Sequence, residues 1–242
     1  MLNLNLFTEA EGIFLIRLLL AHLIADFLLQ SKKMVENKKW ISNAMFIHIF
    51  IVFIITFLFC QNILISIIIS ILHYITDGFK IQLSKNKKIS QTLLFIADQL
   101  IHILAILITW SIYFNINDKL IKAFLLPFTD FNLSLLLLTY VLVSTPFGYF
   151  IGLTTKRFQN QNNNETKTDK NGFLIGIFER LIILTFIILG EYSAIGFLIT
   201  GKSIIRFSSK NEDLKSEYVL LGTMISYGMT IITGIIIKHL LQ

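Results

Sequence analysis

The chain has 242 residues, of which 55% are hydrophobic and only 15% charged, and its mean hydropathy is +0.72. Soluble domains of this size carry more charge and less apolar material, so an ordinary water-soluble globular protein is excluded. The net charge of +6 does not point to nucleic acid, because the basic residues sit in short segments between apolar runs and leave no soluble basic surface to dock one.

Lipid cannot satisfy an open backbone, and a helix needs about 20 apolar residues to cross the hydrocarbon core. The runs therefore predict an all-α, polytopic transmembrane bundle of seven to eight spans, at about 12–30, 44–60, 62–83, 91–114, 131–152, 172–190, 192–207 and 217–240. The seventh is short and follows Gly190-Glu191, which suits a re-entrant segment as well as a crossing. The N-terminal MLNLNLFTEAEG lacks a basic region, and the first apolar run continues into Asp26 without a small-residue cleavage site, so no cleavable leader is expected. The lone Cys60 excludes an intrachain disulfide and a thiolate metal cluster.

Between the spans, charge alternates. Lys32, Lys33, Lys38 and Lys39 follow the first span, and Lys80, Lys85, Lys87 and Lys88 follow the third. Lys156, Arg157, Lys167 and Lys170 follow the fifth, and Lys202, Arg206, Lys210 and Lys215 flank the link from the seventh to the eighth. The excess of Lys and Arg on alternate loops places those four loops in the cytoplasm and both termini outside. Four regions are expected: an N-terminal four-helix bundle (1–115), a connecting segment with span five (116–158), a polar cytoplasmic loop (159–171) and C-terminal helices (172–242). Segment 117–130 can lie along the interface, and Pro146 with Gly148 kinks the fifth span.

The first four spans carry His22/Asp26, His73/Asp77 and Asp98/His102, each pair four residues apart, and His48 lies on span two. Positions i and i+4 share a helix face, so both members of a pair can address one centre. Spans one and three run inward with His before Asp, while span four runs outward with the order reversed. All three pairs thus keep Asp nearer the cytoplasm and His one turn deeper. HLIADFLLQSKK (22–33) and HYITDGFKIQLSKNKK (73–88) share His-x-x-x-Asp followed by Gln and Ser-Lys, the mark of a duplicated hairpin.

An ionised Asp inside a span costs about 2.5–3.5 kcal/mol on insertion scales, so three of them demand partners. A divalent metal supplies the charge, and the mixed imidazole and carboxylate set, without Cys, selects zinc first, with iron or manganese as alternatives. The metal candidates are His22, Asp26, His48, His73, Asp77, Asp98 and His102, and Asp26, Asp77 and Asp98 are the candidate general bases. Seven candidates exceed one tetrahedral site. Either some of them orient the ligands, or two metals bind. The plainer alternative is interhelical hydrogen bonding that only holds the bundle together. A second polar set, Glu179, Arg180, Lys202, Arg206 and Glu217 with Tyr218, lies near the same face. Its basic members suit an anionic headgroup, although such residues also serve as snorkelling anchors.

The strings HLIADFLLQ, HYITDGFK and DQLIH, with GIFERLIIL, GFLITGKSIIRF and SEYVLLGTMIS further on, resemble the bacterial membrane family catalogued as domain of unknown function 3307. The resemblance implies a bacterial inner-membrane protein and supplies no activity. The matching positions are His22, Asp26, Gln30, His73, Asp77, Lys80, Asp98, Gln99 and His102, with Glu179, Arg180, Lys202, Arg206, Glu217 and Tyr218 in the C-terminal part; His48 falls outside those strings.

The expected function is a metal-dependent hydrolase of a lipid or lipid-linked substrate, working at the cytoplasmic leaflet. A cation transporter or channel is the alternative, and a structural or assembly protein the third. The outer halves of spans one to four show no polar residues matching the inner set, which favours an enzyme over a transporter.

Overall fold

The computed structural model describes residues 6–86, 89–159, 170–208 and 215–241. Its elements are α1 (Glu9–Leu23), a π-helical turn (Ile24–Leu28), α2 (Lys32–Asn37), α3 (Asn43–Cys60), α4 (Ile63–Ser84) and α5 (Gln91–Phe114). They continue as α6 (Asn117–Thr129), α7 (Phe131–Gln159), α8 (Lys170–Leu189), α9 (Tyr192–Ser208) and α10 (Lys215–Leu240), with no strand among the described residues. The all-helical expectation is met. Six helices, α3, α4, α5, α7, α8 and α10, are long and apolar enough to cross a membrane. The other two expected spans fall on α1 with its π-helical continuation and on α9, helices of 15 and 17 residues. Large apolar side chains such as Ile47, Phe50, Leu100 and Leu104 are exposed on the outward faces of these helices, as lipid contact requires.

The chain divides into two compact units, residues Met1–Phe124 and Leu125–Gln242. In the first, α1 packs on α3 and α5, and α4 packs on the same two helices. Local signals set the ends of these helices. Thr8 and Glu11 form a reciprocal capping box on α1, satisfying two amide donors that the first turn leaves free. Ser42 and Asn62 accept from the amides of Met45 and Ile65. Gln61 adopts φ 53°, so only Gln61 and Asn62 separate α3 from α4. That tight link matters for position. His48 stands 12 residues before the end of α3 and His73 10 residues after the start of α4, which at about 1.5 Å per residue sets both at nearly the same height.

One end of this unit is an apolar core of Leu18, Val52, Ile65, Ile69, Ile106, Trp110 and Ile116. Trp110 donates its indole N–H to the Glu11 carbonyl (2.8 Å), and Lys119 holds the Glu11 carboxylate (2.8 and 2.9 Å). Lys119 and the capping contact with Thr8 keep the Glu11 carboxyl below its ordinary value; the residue lies just ahead of the first apolar span. Three buried hydroxyls at this end bond backwards along their own helices, Ser66 to Asn62, Ser70 to Ser66 and Thr109 to Ala105, while Ser111 donates to Asn117 Oδ1 at 2.6 Å.

In the second unit α7, α8 and α10 pack together and α9 lies against α8. Gly234 lets α10 approach α8, since a Cβ there would come within 2.7 Å of Ile187. The polar segment expected at 159–171 falls largely outside the described residues, as do Lys87, Lys88 and Lys210.

Candidate metal centre

His22, His48, His73, Asp77, Asp98 and His102 are all buried, and Asp26 is nearly so, with 9% of its side chain exposed. Four helices converge here, and the imidazoles form one cluster. The His73 and His102 rings stack at 4.0 Å, and His48 and His22 lie 5.0 and 5.6 Å from His73.

The tightest grouping is a triangle of donor atoms. His48 Nε2 lies 3.0 Å from His73 Nε2, and Asp26 Oδ1 lies 3.4 Å from the first and 3.2 Å from the second. Ligands at about 2.0–2.1 Å around a tetrahedral ion are separated by about 3.3 Å. Asp77 Oδ2 stands beside the fourth corner, 3.5 Å from His48 Nε2 and 3.8 Å from His73 Nε2. Asp26 Oδ1 is buried and accepts no hydrogen bond from any described residue. A buried carboxylate oxygen without a donor is costly, and a cation in the triangle would satisfy it.

The local backbone explains how Asp26 reaches this point. After His22 the helix widens, and the Leu29 amide bonds to the Ile24 carbonyl five residues back (3.0 Å). Such π-helical turns are rare and concentrate at functional sites. Asp26 lies within this turn, with Oδ2 3.9 Å from His22 Nδ1 while Oδ1 faces His48 and His73. His22 Nε2 instead meets Gln99 Oε1 at 3.3 Å. The two similar sequence strings therefore differ in structure, because Asp77 sits on regular α-helix.

Two lysines complete the charge pattern. Lys38 caps the short helix α2, is only 7% exposed, and donates to Asp77 Oδ2. Lys80 donates to Asp98 Oδ2 at 2.7 Å. Among the described residues no lysine pairs with Asp26. Lys38 is held by its surroundings: Tyr74 donates to the Trp40 carbonyl (2.9 Å), and the Trp40 ring lies directly over Gly78, where any Cβ would collide with it. Sequence reading counted Lys38 among four loop lysines, and nothing local distinguishes it from its neighbours. His48, which lay outside the family-like strings, is at the centre.

His22, His73 and His102 also line a cavity of about 10 Å³ with Val52, Thr56, Ile69, Ala105 and Ile106, room for about one water.

Among the described residues, the C-terminal candidates make two separate sets of contacts. Glu179 and Lys202 pair at 2.6 Å, with the Lys202 ammonium 5.4 Å from the Tyr227 ring centre. Arg180 is buried and donates to the Val143 and Ser144 carbonyls and to Ser226. Pro146 has no amide to give to the preceding turn of α7, and the guanidinium takes up carbonyls beside that break. The side chains of Arg206 and Glu217 lie outside the described residues.

Residues 14–129 match the model of the family described as "Protein of unknown function (DUF3307)". This bears out the resemblance in the N-terminal half. The matched stretch contains all seven His and Asp candidates and ends before the C-terminal set. Neither a curated protein nor a solved structure matches the chain.

Proposed function

We propose that the protein is a membrane metallohydrolase in which Asp26 Oδ1, His48 Nε2 and His73 Nε2 hold one divalent ion, zinc first. The observation that carries this reading is the donor triangle, with edges of 3.0, 3.2 and 3.4 Å, close to the spacing around a tetrahedral ion. Two imidazoles and a carboxylate leave the fourth position for water, as catalytic zinc requires. An ion held by these residues would supply an activated water, whose pKa divalent metals lower toward about 7.

Asp77 is the general base. It lies beside the open corner and is steadied by Lys38. It takes a proton from the water, whose oxygen forms a bond to the acyl carbon or phosphorus. The bond to the leaving oxygen or nitrogen breaks, and the proton passes to that leaving group. Lys80 is partly exposed, so the substrate enters from the side of the basic loops, which the charge rule sets at the cytoplasmic leaflet. A lipid or lipid-linked ester, amide or phosphoester presents its headgroup at that depth.

The opposite side supports an enzyme over a transporter. The apolar core around Trp110 covers it, and the hydroxyls of Ser66, Ser70 and Thr109 are turned to backbone carbonyls, which disfavours a row of ion ligands among the described residues there.

Elemental analysis of detergent-purified protein tests the metal, and mass spectrometry of a bacterial lipid extract incubated with wild type and Asp77→Asn tests the chemistry. Stoichiometric metal with an Asp77-dependent lipid product is expected. Metal-dependent uptake into proteoliposomes without any lipid product would replace the hydrolase with a transporter. A protein that takes up no metal, even on reconstitution, would overturn the reading.

A further inference from the structure

The His/Asp cluster holds more donors than one ion uses. His102 Nε2 lies 3.4 Å from Asp98 Oδ1 and 3.7 Å from Asp77 Oδ1, and these three side chains can together surround an ion. None of the three atoms belongs to the triangle of Asp26, His48 and His73.

The hydrogen bonding around His102 fixes what these atoms present. Thr76 Oγ1 donates its only proton to the His73 carbonyl (3.0 Å). The same oxygen lies 3.0 Å from His102 Nδ1 and 3.4 Å from Nε2. With its proton so placed the oxygen can accept from the nearer nitrogen, and the tautomer with the proton on Nδ1 presents the Nε2 lone pair to the two carboxylates. Lys38 and Lys80 occupy Asp77 Oδ2 and Asp98 Oδ2, the oxygens on the other sides of those carboxylates. What remains is one nitrogen lone pair and two carboxylate oxygens facing each other. Asp98 is 4% exposed, and its Oδ1 accepts no hydrogen bond from any described residue. Acceptors do not gather around an empty point in a low-dielectric interior without a cation to hold them.

We infer that Asp77 Oδ1, Asp98 Oδ1 and His102 Nε2 form a second divalent-cation subsite, with Asp77 straddling the two ions. The inference rests on the metal site proposed above and extends it. Asp77 would face the first site through Oδ2, 3.5 Å from His48 Nε2, and hold the second ion through Oδ1. Paired ions of this kind stabilise both the attacking and the leaving oxygen of a displacement, and a second ion suits a phosphoester, whose leaving oxygen develops charge.

The test is loading with Mn²⁺ in detergent, read by elemental analysis and electron paramagnetic resonance. Wild type is expected to bind two ions per chain with a spin-coupled spectrum. Asp98→Asn and His102→Ala are expected to bind one ion and give an uncoupled six-line spectrum, while His48→Ala loses the first ion. Wild type that saturates at one ion, uncoupled and unaffected by Asp98→Asn, overturns the second subsite and leaves the first intact. Wild type that binds none overturns both. The wild-type spectrum alone decides the matter if a variant fails to fold.

Discussion

His48 Nε2 and His73 Nε2 lie 3.0 Å apart on two helices joined by a two-residue link. At most one of these nitrogens can donate to the other, and Asp26 Oδ1 faces both without a hydrogen bond. A metal accepts all three lone pairs together. His48→Ala is accordingly expected to abolish metal binding at this triangle. His22→Ala, which removes the neighbour of Asp26 and Gln99, is expected to weaken it about 10- to 100-fold, as loss of an orienting partner does. Competition with a chromogenic chelator measures both; equal effects would mean that His22 is itself a ligand.

Metal removal has a stability signature. An ion bound only by the folded state adds about 2.7 kcal/mol at a free concentration 100 times its Kd. Chelation is expected to lower the thermal midpoint of wild type in detergent by more than that of His48→Ala, which lacks the ion of the Asp26–His48–His73 triangle. A midpoint that ignores chelator in both would remove the ion from the folded protein.

Lys38 and Asp77 form a buried pair. Removing one partner of such a pair costs about 3–5 kcal/mol, mostly because the other charge is left uncompensated. Lys38→Met should therefore be strongly destabilising, and Lys38→Met with Asp77→Asn should recover most of the loss. The double-mutant cycle in detergent, by chemical denaturation, gives the coupling directly; additive losses would show that the ammonium and carboxylate do not depend on each other.

Gly78 decides where Lys38 sits. A methyl group there collides with the Trp40 ring, and overpacking of this kind costs about 1–3 kcal/mol. Gly78→Ala should shift the fluorescence of Trp40, one of only two tryptophans, and make residues 31–42 more sensitive to protease. Repeating the measurement with Trp110→Phe assigns the signal. An unchanged spectrum would place Trp40 away from α4.

Glu11 gives a pH dependence outside the membrane. Its hydrogen bond from Lys119 lowers the folded value below the ordinary 4.5. The folded chain then binds fewer protons than the unfolded chain, so this contribution is complete above about 4.5 and is lost as pH falls through the lowered folded value. Glu11→Gln keeps a side chain able to cap Thr8 but loses the charge. The stability difference between wild type and variant should shrink below pH 4.5. A difference independent of pH would assign the role of Glu11 to capping alone.

Helical class and most membrane-crossing helices were legible from sequence, because a lipid solvent demands long apolar runs and leaves few other folds. The three spaced His/Asp pairs were legible for the same reason: buried charge is expensive and stands out against Leu, Ile and Phe. The sequence alone therefore determined the material of the site. Only tertiary structure decided how it is divided. Asp26, on its π-helical turn, faces His48 and His73 across helices, the tight α3–α4 link sets those two imidazoles level, and Trp40 packs on Gly78 while Lys38 meets Asp77. These are contacts across helices, fixed by packing and backbone hydrogen bonding, and no spacing along one helix encodes them.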